Sequence, residues 1–472
     1  MRTGAGGGQE LERDAGSLPI DTAQPTCQIG ENLPVLTSCA VESGSRRNGT
    51  ANRVAPEDKA VHDWYRFVLS FPPHLVRKYI QRFGLTSSSV LMDPFCGTGT
   101  TLVESKRLSI PSIGIEAHPM SHFASATKVD WTPEPDVLIQ TAARVASSTL
   151  DQFRRQKIYD EPAAQNQSVR CLQSLTPEKM KLLLTNSISP APLHKTLVLL
   201  DCIAASSILP YQNLLRLGLA KALVSVISNL HFGPEVGVSK PKGDAAVVLS
   251  WLSQIEQMAR DLEKAKPFAA IQAATYHADS RQHLSSLLPT ESVDAVITSP
   301  PYPNEKDYTR TTRLESVLLG FINCKEDLQR VKKGLVRSNT RSVYKSDDDH
   351  RWISAHPEIE RIADAIEKRR VELGKTSGFE RMYPRVTKLY FGGMARHLGE
   401  LRKVLRPGAF LAYVVGDQAS YLRIMIRTGQ LLAEIAESLG YEVISIDLFR
   451  TRLATATREQ LREEVVVLRW PG

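Results

Sequence analysis

The segment Val90-Leu-Met-Asp93-Pro-Phe-Cys-Gly97-Thr-Gly99-Thr-Thr-Leu-Val-Glu104 combines an apolar run, a pair of glycines and the start of a helical pattern. Gly97 and Gly99 permit a tight turn and a close approach of the backbone to a ligand. The helix that follows has free N–H groups at its first turn. The order therefore predicts a strand, a glycine turn and a helix, with a nucleoside cofactor lying across the turn.

A second apolar run, Ser112-Ile-Gly-Ile115, ends in Glu116. An acidic residue at the tip of the second strand offers the two hydrogen bonds that a ribose diol requires. A glycine turn alone is a weak signal, because many strand-to-helix connections use glycine. The turn followed by this acid is much more specific for a nucleoside cofactor.

A third apolar run, Val293-Asp-Ala-Val-Ile297, is followed by Thr298-Ser-Pro-Pro-Tyr302. Proline cannot continue a sheet ladder, so this pattern predicts a buried strand that stops abruptly. The Ser299 hydroxyl and the Pro300 carbonyl can accept hydrogen bonds from an exocyclic amino group, and Tyr302 offers a stacking face. Taken alone, the pentapeptide fits an ordinary turn or a polyproline segment equally well.

The cofactor turn and the pentapeptide together resemble the S-adenosylmethionine-dependent amino-methyltransferases of DNA. The serine at position 299 is similar to the N4-cytosine branch, whereas the N6-adenine branch more often has Asp or Asn there. Three further segments match this family in order, namely 62–75, 277–281 and 405–415. The matching segments span roughly residues 60–130 and 271–472.

The resemblance implies an α/β fold, a Rossmann-like class I methyltransferase sheet that is mostly parallel, has an antiparallel terminal hairpin and carries a mainly helical insertion. It implies S-adenosyl-L-methionine as cofactor and a catalytic tip made of Ser299, Pro300, Pro301 and Tyr302. The segment 62–75 is expected to pack on the methionine end of the cofactor, and Asp279 to contact the adenine amino group. The expected cofactor-binding residues are Phe71, Pro73, Asp93, Phe95, Cys96, Gly97, Thr98, Gly99, Thr100, Thr101, Glu116, Asp279 and Ser280.

The chain divides into four parts by composition. Residues 1–55 are rich in Gly, Ser, Asn and Thr and predict a disordered tail. Residues 56–130 and 271–472 form the predicted catalytic domain. Residues 131–270 carry five stretches with apolar residues at helical spacing and predict a helical insertion, a candidate for target recognition. Residues 303–385 form a second, basic insertion within the catalytic domain and are a candidate for DNA contact.

The net charge of +8 suits a polyanionic partner. Two basic groups, within 306–345 and 368–388, directly follow the catalytic tip, where a nucleic-acid backbone would pass if its base entered the site. A solvated helical face with interleaved acids would give the same pattern. The candidate nucleic-acid contacts are Lys306, Tyr308, Arg310, Arg313, Lys240 and Lys242.

Several classes of protein are disfavoured. No apolar run is long enough to span a bilayer, and residues 1–8 lack the apolar stretch of a secretory signal, so we expect a cytoplasmic, nucleoid-associated protein with no membrane partner. Six separated cysteines without a Cys-x-x-Cys pair argue against a zinc ribbon or a disulfide framework. His118 and His122 have helical spacing but no nearby third ligand, and no metal site is predicted.

These patterns predict a site-specific enzyme that methylates N4 of cytosine in double-stranded DNA, with the target base flipped out of the helix, and they leave room for a cognate restriction or defence system. The absence of a Pro-Cys dipeptide argues against C5-cytosine methylation, which requires a cysteine nucleophile. N6-adenine methylation, an RNA amino-methyltransferase and an inactive DNA-binding subunit remain as alternatives.

Overall fold

The computed structural model describes residues 54–66, 70–162, 172–206, 209–233, 235–303, 306–453 and 459–472. These residues all lie within one compact unit, Arg47–Gly472. The predicted tail, 1–55, lies outside the described residues except for its last two positions.

The first part of the catalytic domain alternates helices and parallel strands. Its elements are α1 (Pro73–Arg82), β1 (Leu91–Asp93), α2 (Thr100–Arg107), β2 (Ser112–Glu116) and α3 (Pro119–Val129). The glycine turn lies between β1 and α2, as the sequence predicts, and Gly97 and Gly99 both have positive φ. A residue with a Cβ would be strained at either position.

The insertion at 131–270 is mainly helical, with helices at all five predicted stretches. Its elements are α4 (Pro135–Arg155), α5 (Pro177–Leu182), α6 (Pro190–Ser206), α7 (Tyr211–Ala222), β3 (Leu230–Phe232), β4 (Val236–Val238) and α8 (Val247–Ala265). The segment 229–243, whose Gly, Pro and Lys content is typical of a loop, contains the antiparallel hairpin β3–β4. Three-residue strands are too short for an alternating pattern to show in the sequence.

The second part of the catalytic domain begins at β5 (Ala273–His277), α9 (Leu284–Leu287) and β6 (Val293–Thr298). The second insertion follows with α10 (Tyr308–Thr311), α11 (Arg313–Leu318), α12 (Lys325–Gly334) and α13 (Pro357–Glu372). The chain then completes the sheet through α14 (Tyr383–Leu401), β7 (Leu405–Gly416), α15 (Thr428–Ser438), β8 (Glu442–Leu453) and β9 (Gln460–Arg469).

The main sheet has seven strands in the order β5-β2-β1-β6-β7-β9-β8. All pairings are parallel except those of β9, which runs antiparallel to both β7 and β8. This confirms the predicted fold, a mostly parallel sheet closed by an antiparallel hairpin. The strand order reverses at β1, since β2 and β6 lie on its two sides. Ligands of open α/β sheets bind at such a reversal, beyond the carboxyl ends of the strands.

The insertion shares its apolar core with the catalytic domain. A single cluster of buried side chains contains Leu102 of α2 and Met120 of α3 together with Trp251 of α8. A second cluster lies between the other face of the sheet and helices α13, α14 and α15. The shared core fixes the insertion on the helices that carry the cofactor turn.

Candidate active site

A cavity of about 400 Å³ opens at the carboxyl ends of β1, β2, β5 and β6. It is large enough for a nucleoside ligand. Nine of the expected cofactor-binding residues line it, namely Phe71, Phe95, Cys96, Gly97, Thr98, Thr100, Glu116, Asp279 and Ser280. Ser299, Pro300, Pro301 and Tyr302 line it too, with Lys306 and Tyr308. The structure thus brings most of the expected cofactor residues and the whole catalytic tip to one cavity.

Glu116 holds the glycine turn in place. One oxygen of its carboxylate accepts the backbone N–H of Gly97 at 2.8 Å, and the other accepts that of His118 at 2.7 Å. Burial raises the pKa of Glu116 to about 7, although these backbone hydrogen bonds oppose the shift. The acid at the tip of β2 therefore lies where the sequence places it and also shapes the turn.

Asp93 connects the cofactor turn to the catalytic tip. Its side chain accepts hydrogen bonds from Thr298 at 2.6 Å and from Thr101 at 2.7 Å. Thr101 is the second residue of α2, and Thr298 is the last residue of β6. Burial raises the pKa of Asp93 to about 6. Asp93 and Thr101 lie behind the cavity wall, so the structure assigns them to this link and not to the cavity surface.

Two further expected cofactor residues do not line the cavity either. Pro73 is buried as the first residue of α1. A Cβ added at Gly99 would lie 3.2 Å from the Cβ of Ser125, so this glycine faces α3. Of the predicted segment 62–75, His62 is 2.7 Å from Glu104, and Ser70 and Phe71 line the cavity. The first part of the segment therefore anchors the chain to α2, since Glu104 belongs to that helix.

Asp279 lies in the cavity wall after β5 and is held by Arg281. Two guanidinium nitrogens of Arg281 donate to its carboxylate at 2.9 and 2.7 Å. The third donates to Asp349 at 2.6 Å, and Asp349 also accepts from Arg396 of α14 at 3.1 Å. Arg281 and both acids are almost fully buried. This chain of ion pairs orients the acid expected at the adenine end of the cofactor.

The catalytic tip packs against the end of β7. The Ser299 hydroxyl donates to the carbonyl oxygen of Val414 at 3.2 Å. The Tyr302 ring lies over Gly416, where an added Cβ would be 3.2 Å from the ring. Burial, assisted by the Glu463 carboxylate, raises the pKa of Tyr302 well above its ordinary value. Tyr302 is therefore a neutral aromatic surface inside the cavity.

The rim of the cavity is basic. Lys306, Arg450 and Arg452 line it, and Arg450 forms a two-point ion pair with Glu463 at 2.5 and 2.9 Å. Burial and the neighbouring Arg452 lower the pKa of Lys306, while Glu235 of the β3–β4 hairpin partly offsets the shift.

The other four candidate nucleic-acid contacts lie away from the cavity wall. Arg313 donates to the carbonyl oxygens of Thr309 at 2.9 Å and Leu182 at 3.2 Å, which ties α11 to the insertion. Lys242 donates to the carbonyl oxygen of Ser228 at 2.8 Å. Lys240 is exposed beyond the end of β4, and Arg310 is half-buried. Arg313 and Lys242 thus hold the insertion together, whereas Lys240 faces solvent.

The histidine pair His118 and His122 is used in packing. His118 is 3.0 Å from the hydroxyl of Thr312, and the ring of His122 stacks on His277. Within the described ranges no group of three or more His, Cys, Asp or Glu side chains is arranged to hold a metal ion. No helix in the same ranges is long and apolar enough to cross a bilayer.

The sequence offered no sign of several other cavity residues. Gln418 and Ser420 come from the segment after β7, and Ser338, Asn339 and Ser342 from the second insertion. All are small polar residues without a recognisable motif, and only the fold brings them to the same wall. Among the described residues, the Thr98 and Ser280 hydroxyls and the Gln418 amide nitrogen are buried without a hydrogen-bond partner.

The cavity wall fits a nucleoside cofactor. The unpartnered hydroxyls of Thr98 and Ser280 lie beside the glycine turn and Asp279, where polar atoms of such a ligand would meet them. Glu116 and Asp279 supply acceptors for hydroxyl and amino groups. The sheet order and this wall define a class I methyltransferase, which uses S-adenosylmethionine.

Among methyltransferases, the known proteins that the chain resembles are those that act on DNA. The DNA methylase family model, which covers N6 and N4 methyltransferases, matches residues 43–125. The Type II methyltransferase M.BsoBI of Geobacillus stearothermophilus is 25% identical over 442 residues, which cover 88% of this chain and 85% of that protein. The Type II methyltransferase M.AvaI of Nostoc sp. is 26% identical over 460 residues, covering 88% of each. These similarities support a DNA methyltransferase of the N4/N6 class.

Two other similarities are more limited. The Type II methyltransferase M.MjaII of Methanocaldococcus jannaschii is 34% identical over 71 residues, which is 15% of this chain and 13% of that protein. Among solved structures, the rRNA methyltransferase aviRa of Streptomyces viridochromogenes aligns over 92% of this chain and 97% of its own, with 13% identity and a TM-score of 0.33.

Proposed function

We propose that this chain transfers a methyl group from S-adenosylmethionine to the N4 amino group of cytosine in double-stranded DNA, with the target base flipped into the cavity. The observation that carries the proposal is the hydrogen bond from Ser299 to the Val414 carbonyl at 3.2 Å. A hydroxyl has one hydrogen, and here that hydrogen is used within the protein. The oxygen of Ser299 is also hydrogen-bonded to the Tyr302 hydroxyl, and with two lone pairs it can still accept a hydrogen bond from an amino group.

The tip offers two acceptors to one nitrogen. The Ser299 oxygen and the Pro300 carbonyl each accept one N–H of the amino group, so its lone pair turns toward the cofactor side of the cavity. When bound, S-adenosylmethionine supplies an electrophilic methyl group. Asp93 keeps the two sides in register, because it bonds both Thr298 and Thr101. Positioning of this kind accounts for catalysis without a covalent intermediate on the protein.

Two tyrosines enclose the space beside the tip. Tyr302 and Tyr308 both line the cavity, and the backbone of Tyr302 is hydrogen-bonded to the hydroxyl of Tyr308. Burial raises the pKa of Tyr308 to about 12, so this ring too is neutral at physiological pH. Stacking of a flipped base on aromatic rings is worth about 1–3 kcal/mol per base.

The basic rim suits the DNA backbone on either side of a flipped nucleotide. Lys306 and Arg452 lie at the mouth of the cavity, and phosphate contacts of this kind set the register of a protein on its duplex. We infer that the insertion 131–270 and the second insertion 303–385 supply recognition of the DNA sequence. The Type II methyltransferases that resemble the chain support a role beside a cognate restriction enzyme.

The proposal is tested by incubating the protein with labelled S-adenosylmethionine and duplex DNA or RNA, and then identifying the labelled nucleoside after digestion. We expect label in N4-methylcytosine from DNA. Label in N6-methyladenine would refute the choice of base, label in RNA alone would refute the substrate, and no label at all would indicate an inactive subunit.

A pair of serines that flank β6 provides the matched variants. Ser299→Ala should lose most of the activity and retain cofactor binding. Ser292 lies just before the opposite end of the strand and also donates to a backbone carbonyl, that of Pro289 at 2.7 Å. Ser292→Ala should keep full activity. Equal activity of the two variants would remove Ser299 from the mechanism.

A further inference from the structure

Gln418 is a cavity residue without an assigned role. It lies two residues beyond the end of β7 and lines the same wall as Ser299 and Tyr302. Its side chain is only 2% exposed. A glutamine is seldom buried unless its amide is paired, because a buried polar group without a partner costs free energy.

The backbone around Gln418 is fixed on both sides. Gln418 and Ile426 exchange two backbone hydrogen bonds, at 3.1 and 2.7 Å, which close the intervening loop. The preceding residue, Asp417, accepts from Arg427 at 2.5 Å and from the backbone N–H of Arg462 at 3.2 Å. The position of the glutamine is thus set by the protein before any ligand arrives.

The Gln418 side chain nevertheless has an unused donor. Its amide nitrogen has no hydrogen-bond partner among the residues that the structure describes. The cavity wall also contains the carboxamide of Asn339, but that group donates to the carbonyl oxygen of Lys306 at 3.0 Å and accepts from Ser342 at 3.0 Å. Asn339 is therefore committed to holding the wall, whereas the donor of Gln418 remains for a ligand.

We propose that the amide N–H of Gln418 donates a hydrogen bond to a ring-edge acceptor, N3 or O2, of the flipped cytosine. This inference rests on the proposed function, since the base is the one whose amino group Ser299 and Pro300 hold. Reading a flipped base through its Watson–Crick edge is how enzymes that act on extruded bases select them. Gln418 would thus bind the edge of the base while the tip binds its amino group.

The first test compares stability with activity in the full-length protein. Gln418→Met keeps the shape of the side chain and removes the donor. Because that donor has no partner among the described residues, the variant should melt at the same temperature as the original or higher, and bind cofactor equally well. Its kcat/KM on DNA should fall by about tenfold or more, the size expected for a lost hydrogen bond that leaves its partner unsatisfied. The kcat/KM of Gln418→Glu, which presents a carboxylate in place of the amide donor, should be lower still.

The control is Gln430→Met, a change at an exposed position of α15 that should leave kcat/KM unchanged. Unaltered activity of both Gln418 variants would overturn the proposal. Joint loss of melting temperature and cofactor binding in Gln418→Met would also overturn it, because the amide would then be structural.

The second test identifies the acceptor with duplexes that carry 3-deazacytosine, or a cytosine analogue without the 2-oxo group, at the target position. One of these analogues should lower the rate of the original protein and cause no additional loss in Gln418→Met. Fully additive losses for both analogues would refute the hydrogen bond. If the original protein instead methylates adenine, the proposed base is wrong, and the same comparison with 1-deazaadenine decides on Gln418 separately.

Discussion

Gly392 in α14 is a position where adding a single methyl group, in Gly392→Ala, should disturb the cofactor site. A Cβ added there would lie 2.0 Å from the carbonyl oxygen of Asp349 and 2.4 Å from its carbonyl carbon. Cβ contacts in proteins stay above about 3.0 Å, so α14 and the backbone at Asp349 would have to separate by about 1 Å. The opposing atoms are backbone and cannot rotate away.

The expected loss of folding stability in Gly392→Ala is best measured against the same substitution at the neighbouring Gly393. Overpacking of a core costs about 1–3 kcal/mol, and Gly392→Ala should lie at or above the upper end. At Gly393 the nearest atom to an added Cβ is 3.4 Å away, an ordinary contact. Gly393→Ala should therefore gain up to about 1 kcal/mol from helix propensity. The two adjacent variants should differ in stability by about 3 kcal/mol or more.

The displacement of Asp349 in Gly392→Ala should also weaken cofactor binding, because Asp349 is ion-paired with Arg281. Asp349 holds Arg281 at 2.6 Å, and Arg281 orients Asp279 in the cavity wall. Moving the backbone of Asp349 should release that arrangement, so Gly392→Ala should bind S-adenosylmethionine several-fold more weakly.

Urea denaturation and isothermal titration with the cofactor measure both effects. Equal stability of the two glycine variants would show that the close approach of α14 to Asp349 does not affect folding. Normal cofactor binding by a destabilised Gly392→Ala variant would show that Asp349 has no part in the site.

Three other outcomes are expected. Burial raises the pKa of Glu116 to about 7. If its ionised form binds the ribose diol, cofactor affinity should rise about tenfold from pH 6 to pH 8, and Glu116→Gln should flatten that rise in titrations. Lys242→Met should lower the melting temperature, because its ammonium holds a carbonyl of the insertion, while the exposed Lys240→Met should leave it unchanged. Arg452→Ala should weaken DNA binding without changing cofactor binding, and should reduce by about one the slope of log affinity against log salt in filter-binding assays. Equal melting temperatures of the two lysine variants, or an unchanged salt slope, would contradict the corresponding assignment.

Much of the fold was predictable because its signals are local. The glycine turn, the acid after β2 and the prolines after β6 each place a backbone requirement within a few residues of the strand that they end. The hairpin of β8 and β9 was predictable too, since two apolar runs follow α15 directly. The topology of the sheet follows once these pieces are in order.

The rest of the site was not predictable because it depends on distant partners. Asp93 was expected to bind cofactor, but in the folded chain it bonds Thr298, which is 205 positions away. The ion pairs of Arg281 reach Asp349 in the second insertion, across 68 positions. Gln418 has no motif around it, and its importance appears only when the cavity wall and its unpartnered donor are seen together.

The hydrogen bonds of Asp93 indicate which parts of the chain can change during evolution without moving the methyl donor relative to its acceptor. The relative placement of methyl donor and acceptor depends on one carboxylate and on the register of β1 against β6, where Leu91 pairs with Ala295. The helical insertion, which lies between α3 and β5 in the chain, supplies neither Thr298 nor Thr101, so its length and sequence can change without altering that placement. Under the proposed role of the insertion in target recognition, the recognised DNA sequence can therefore diverge while the chemistry of the reaction stays constant.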